Sequence, residues 1–184
     1  MVKIGIFYLS HDGLSSLYTG VGTFGRDFCL AFNKIHKYYL NKGIDLTLLP
    51  GTIRYKAKFH GYSFDTKYKI QNISKRSGGK MICIDNKSGG LLSYGGITQW
   101  EAASQNSAII INKMANRFDH VIVYANDTPF AGVGRYITKQ NVTTIWVPHS
   151  TARIHKSFRV IKQTEEIKLF NQKRFAWEKN AINW

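Results

Sequence analysis

Three stretches of the chain share one pattern: a run of apolar residues that stops abruptly in polar ones. Val2 to Leu9 runs into Ser10-His11-Asp12-Gly13, Val121 to Ala125 into Asn126-Asp127, and Val142 to Val147 into Pro148-His149-Ser150-Thr151. Short apolar runs bounded in this way predict buried strands, and polar tips on such strands are how open parallel sheets present chemistry at their C-terminal edge. Between the runs, apolar residues recur at helical spacing. Phe24, Phe28, Ala31, Phe32, Ile35 and Tyr39 mark one helix, closed by Asn41-Lys42-Gly43, and Trp100, Ala103, Ser107, Ile110, Ile111, Met114 and Phe118 mark another. Thr98 and Glu101 have capping-box spacing at the start of the second, and Thr128-Pro129 reads as the cap and first turn of a further helix. Asp45 to Leu49 predicts a strand stopped by Pro50-Gly51, Met81 to Ile84 a short strand, and Thr164-Glu165-Glu166 the opening of a last helix. This alternation predicts an α/β fold: one Rossmann-like parallel sheet with helices on both faces, spanning residues 1–184 as a single domain.

Residues 51–96 fit the pattern least and read as an irregular basic insertion. Tyr55, Ala57 and Phe59 alternate with Lys56, Lys58 and His60, and Tyr62 and Phe64 follow, which predicts exposed β-ribbon strands. The charge is concentrated there. Against a formal +15 for the whole chain, residues 51–80 hold eight basic residues and the single acidic Asp65, and residues 152–184 contribute another +5. Such an excess calls for an anionic partner: a nucleotide, an acidic lipid surface or a nucleic acid. With 43% hydrophobic and 14% aromatic residues the chain is no disordered tail. It contains no uninterrupted apolar run of membrane-spanning length. Cys29 and Cys83 sit among apolar neighbours and read as two reduced core residues, and Val2 to Leu9 reads as a strand rather than a leader. Together these place the chain in the cytoplasm.

Gly20, Gly22 and Gly25 match the spacing of a dinucleotide fingerprint, but they do not follow their strand directly and the second strand does not close on an acid, so NAD is not the expected ligand. What remains is either a loop with glycines for its turns or bare backbone N–H groups at a helix start, aimed at an anion. His149 at a strand tip is either a packed residue or part of a site on the edge it shares with Asn126 and Asp127. Asp127 suits a helix cap, a hydroxyl ligand, or both. Ser150 lacks the nucleophile elbow of a hydrolase, Glu101 is accounted for by its capping box, and the six histidines show no metal-binding spacing.

Taken together, the tips resemble the N-terminal half of a GT-B glycosyltransferase of the group-1 and glycogen/starch-synthase-like retaining kind. The resemblance lies in Thr19-Gly20-Val21-Gly22-Thr23-Phe24-Gly25-Arg26-Asp27-Phe28, in Asp119 to Asp127, in Ile145-Trp146-Val147-Pro148-His149, and in Arg174 to Ala181. It implies that Gly20, Val21 and Gly22 offer N–H groups to the donor diphosphate, that His149 contacts the transferred sugar, and that Asp127 binds hydroxyls of sugar or acceptor. It further implies a sugar- or acceptor-binding role for Asn126, Asp12 and Ser150. It implies a nucleotide-sugar co-substrate with neither cofactor nor metal, a carbohydrate or other hydroxyl acceptor, and basic loops that can meet an anionic membrane. The nucleotide would be held mainly by a second, C-terminal Rossmann domain that lies outside these residues, so the domain by itself is expected to be inactive. One position departs from the synthase pattern, with Tyr18 standing where a lysine is usual. The competing expectation is a non-catalytic α/β module that binds nucleic acid through the aromatic and basic residues of 51–80, or a nucleotide through the glycine segment.

Overall fold

In the computed structural model, which describes residues 1–12, 14, 20–54, 63–149 and 164–182, the first strand β1 is Val2–Ser10, its last six residues buried. There follow α1 (Gly20–Leu40), β2 (Ile44–Ile53), α2 (Phe64–Arg76), β3 (Ile82–Ile84), α3 (Ile97–Ala115) and β4 (His120–Asn126). Two 3-10 turns, Thr128–Phe130 and Val133–Tyr136, lead to β5 (Val142–Val147), and α4 is Glu165–Ala181. Among the described residues five strands form one all-parallel sheet in the order β3-β2-β1-β4-β5. The Rossmann-like α/β architecture is therefore as the sequence predicts.

The sheet is covered on both faces because successive strand residues alternate sides. Phe7, Leu9, Leu49, Val121 and Val123 face Ala103, Ile111 and Met114 of α3. Ile6, Tyr8, Leu46 and Leu48 face Cys29 and Phe32 of α1 and Ile70 of α2. The chain leaves β1 towards β2 and β3, then crosses back to β4 and β5. The order thus reverses between β1 and β4, which makes the C-terminal ends of those two strands the switch point where such sheets bind ligands.

Several expectations are corrected. β2 does not stop at Pro50 but continues to Ile53; pairing with β3 begins only at Gly51, so Pro50 sits where one flank of the strand carries no ladder. The glycine segment is the first turn of α1 rather than a loop before it. Phe64 opens a helix, with Ser63 as its cap accepting from the Thr66 N–H at 3.3 Å; the ribbon expected at 55–62 falls outside the described residues. The cap of α3 is Gly96, whose N–H donates to the Gln99 side chain at 3.0 Å, because the chain turns at Gly95 (φ +64°) and the helix starts two residues earlier than Thr98 would have it. Glu101 is thereby released from capping and takes the hydroxyl of Tyr136. Thr128 caps nothing: its hydroxyl donates to Glu178 at 2.7 Å, and a 3-10 turn forms in place of the expected helix. Cys29 is core, but Cys83 lies on the outward face of β3 and is exposed. The basic segment 153–163 also lies outside the described residues.

Candidate functional site at the β1–β4 switch point

Asn126 organises the edge. It is fully buried at the end of β4, and its Nδ2 donates to the Leu9 carbonyl at 2.8 Å and to the Tyr124 carbonyl at 3.3 Å. Carbonyls only accept, so the amide orientation is fixed and Oδ1 is the acceptor that faces His149 Nε2 at 3.1 Å. Nε2 of His149 therefore carries a hydrogen, and in the neutral ring Nδ1 holds the lone pair. The His149 ring also lies 5.2 Å from that of Phe24 in the first turns of α1. Two of the sequence-predicted residues are thus joined, with Asn126 positioning His149.

Asp127, next in line, has φ +61° and ψ −179°, a region that residues with a Cβ rarely occupy. The backbone is held there from both sides. Its N–H donates to the Val147 carbonyl at 2.9 Å, and its carbonyl accepts from Phe130 N–H at 3.3 Å and from Trp146 Nε1 at 3.2 Å. The residue is 3% exposed, and its Oδ1 has no hydrogen-bond partner among the described residues. A buried carboxylate oxygen left bare is costly, and strain of this kind clusters where a ligand makes use of it.

The start of α1 is not bare. Asp12 is buried with its carboxylate against Gly22: a methyl group on Gly22 would lie 2.7 Å from Oδ2. A methyl on Gly25 would in the same way meet the Tyr8 ring at 3.2 Å, so these two glycines let α1 pass close over β1. A carboxylate is well placed at the positive end of a helix. The structure thus brings Asp12 to the α1 turn assigned to phosphate, with Gly20 exposed and Val21 half-buried beside it. Ser150 lies outside the described residues.

The edge also contains groups that sequence reasoning missed. His11 is buried, its ring edge-on to Tyr94 at 5.3 Å, and the Arg174 guanidinium lies 5.6 Å from the centre of the same Tyr94 ring. Arg174 Nε donates to Glu178 Oε1 at 2.6 Å, and that oxygen also accepts from Thr128 next to Asp127. Helix α4 is thereby tied to the residues that follow β4, a tie completed by Trp177 Nε1 donating to the Thr128 carbonyl at 3.0 Å. Among the described residues, no three His, Cys, Asp or Glu side chains are grouped to hold a metal ion.

Burial lowers the His11 pKa below its ordinary 6.5, with Asp127 and Asp12 opposing the shift and His149 adding to it. A depressed histidine is protonated more readily in the unfolded chain, which takes up its proton below about pH 6.5. Stability is therefore expected to fall as the pH drops from about 6.5 towards the lowered folded value. Urea unfolding of the protein and of His11→Gln at about pH 7.5 and about pH 5.5 checks this, since the variant should lose part of the pH dependence. An unchanged dependence would mean that His11 takes up its proton equally in the folded and unfolded chains.

The sheet order and the polar strand tips define a Rossmann-like α/β protein whose switch point lies between β1 and β4. No protein-family model matches the chain, and no curated protein is significantly similar to it. Among the described residues, no helix is long and apolar enough to cross a membrane.

Proposed function

We propose that the chain is the N-terminal, acceptor-side domain of a GT-B glycosyltransferase, which moves a sugar from a nucleotide-sugar donor to a hydroxyl acceptor. The observation that carries this reading is the Asp127 carboxylate, buried at the switch point, held in a strained backbone, and bare at Oδ1 among the described residues. A ligand rich in hydroxyls is the chemistry that completes it, because each hydroxyl donates a charge-assisted hydrogen bond. In the transfer, the bond from the anomeric carbon to the diphosphate oxygen breaks and a bond to the acceptor oxygen forms, while the acceptor proton leaves with the diphosphate. Positive charge gathers on the sugar and negative charge on the leaving group, so positioning and fixed dipoles supply most of the catalysis. His149, its Nε2–H taken up by Asn126, presents the rest of its ring to the sugar. Gly20 and Val21 are the backbone groups left to meet the donor phosphate, since Gly22 already faces Asp12. Retention, the nucleotide-sugar co-substrate and the absence of cofactor and metal from the reaction follow from the resemblance, and a cytoplasmic setting from the reduced cysteines and the strand-like N-terminus. The resemblance also implies the need for a second Rossmann domain, on the same polypeptide or a partner.

The test is release of nucleoside diphosphate from a panel of nucleotide sugars, with the donor domain present. His149→Ala should lower the rate about a hundredfold with little change in melting temperature. Undiminished turnover would remove His149 from the site. Nucleotide binding that no sugar influences would leave a nucleotide-binding module without catalysis.

A further inference from the structure

Helix α2 reverses the usual amphipathic arrangement. The residues it buries are Thr66, Ile70 and Ser74, while Phe64 and Tyr68 point outward at 67% and 56% exposure. The inward polar residues have structural work: Ser74 Oγ donates to the Leu48 carbonyl at 2.8 Å, and Thr66 meets the capping Ser63 at 3.0 Å. The outward rings have none, since no hydrophobic cluster among the described residues takes in either of them. One turn apart, they lie nearly parallel at 11°, their centroids separated by 6.3 Å, and make a single apolar block. Lys75 continues the stripe two turns on, flanked by Lys69 and Arg76; all three are exposed, and Asp65 is the only acidic residue of the helix.

We infer that this face of α2 docks on an anionic lipid bilayer. Complementary charge selects an anionic partner, because residues 51–80 carry eight basic side chains against Asp65. An apolar block and lysines on one helix face suit a helix lying in the plane of the interface, with Phe64 entering the acyl boundary, Tyr68 at headgroup level and the basic residues on lipid phosphates. A nucleic-acid strand suits the face less well. Single strands are held in basic grooves with rings ranged along them, whereas these two rings stand one turn apart on the convex face of a helix.

The position of the face gives it a consequence. Leu48 N–H donates to Ser77 Oγ at 3.0 Å, so the C-terminus of α2 is held at mid-strand on β2. The helix runs from there back along the strand, and its N-terminal aromatic block comes level with the C-terminal edge of the sheet. With α2 in the plane of the interface the strands run along the bilayer, and docking holds the β1–β4 edge beside its surface. On the glycosyltransferase reading, and only on it, the acceptor is then a lipid-borne hydroxyl.

Flotation with vesicles tests the docking without any assay of sugar transfer, so its failure would leave that reading standing. The protein is expected to float with vesicles of phosphatidylcholine and phosphatidylglycerol in equal parts, not with phosphatidylcholine alone, and to come off as salt is raised. Phe64→Ser with Tyr68→Ser should weaken partitioning about tenfold or more, with unchanged far-UV circular dichroism because both side chains are exposed. Tyr68→Trp provides a second readout: its emission, taken as the difference from the parent protein, should shift to the blue on the mixed vesicles. No flotation of the unsubstituted protein, equal flotation of the serine variant, or an unshifted difference emission from the Tyr68→Trp variant would each overturn the inference. Binding of single-stranded oligothymidylate that the serine variant loses, in a protein that ignores vesicles, would give the face to nucleic acid instead.

Discussion

Glu178→Ala is expected to destabilise the protein by about 3–5 kcal/mol, the range found when one partner of a buried ion pair is removed. Arg174 and Glu178 are 6% and 5% exposed, and the carboxylate oxygen that takes the guanidinium also takes the Thr128 hydroxyl. Alanine would take a carboxylate from the buried guanidinium and an acceptor from the buried Thr128 hydroxyl together. Replacing both charges, as Arg174→Met with Glu178→Leu, should cost much less than the single change, since no charge is left unpaired. Urea denaturation of the two single variants and the double supplies the cycle. A Glu178→Ala variant within about 1 kcal/mol of the parent would show that the pair is solvated.

Asp127→Gly should do the opposite to stability and the worst to function. Glycine occupies φ +61° without strain, and the change deletes a buried carboxylate oxygen that lacks a partner among the described residues. Relief of about 1–3 kcal/mol of backbone strain outweighs the extra entropy that glycine gives the unfolded chain, so a net gain of about 1 kcal/mol is expected. The urea midpoint should rise with the slope unchanged. Sugar transfer, on the proposed function, should fall about a thousandfold, with the substituted site retaining its His149–Asn126 contact. A lowered midpoint would show that the carboxylate supports the fold itself. A stabilised variant that still turns over would separate Asp127 from the chemistry.

These two positions also show how far the sequence can be read. The strand tips are legible because a parallel strand is apolar over its whole buried length and turns polar where it leaves the sheet, as at Ala125-Asn126. What the tips touch is not legible. Nothing in the sequence tells that the register sets the Asn126 amide on the Leu9 carbonyl, 117 residues away. The Arg174–Glu178 spacing is visible as an i,i+4 pair, which on most helices is solvated; here tertiary packing, with Tyr94 under the guanidinium, makes it buried. Tyr94 has no signal at all, standing in an irregular connection. Helix α2 is missed because its inward face is partly polar and its aromatics point out, which erases the period that identifies a helix. The opening of α1 is left open between a loop and a helix start for another reason. Glycines at 20, 22 and 25 are poor helix formers, and the turn forms there because Gly22 and Gly25 alone can pass Asp12 and Tyr8.

The pairing of β1 with β4 has a meaning in time as well as in space. Val2 finds its partner Ile44 early in synthesis, but Ile4 must wait for His120, and the His149 contact for a strand later still. The longer closure costs only about 1 kcal/mol more in loop entropy, so the finished fold is little weakened by it. On the ribosome, however, β1, β2 and β3 can meet while the tips of β4 and β5 have not yet been made. A growing chain thus has a sheet before it has a switch point, and the contact of His149 with Asn126 closes that edge only late in synthesis.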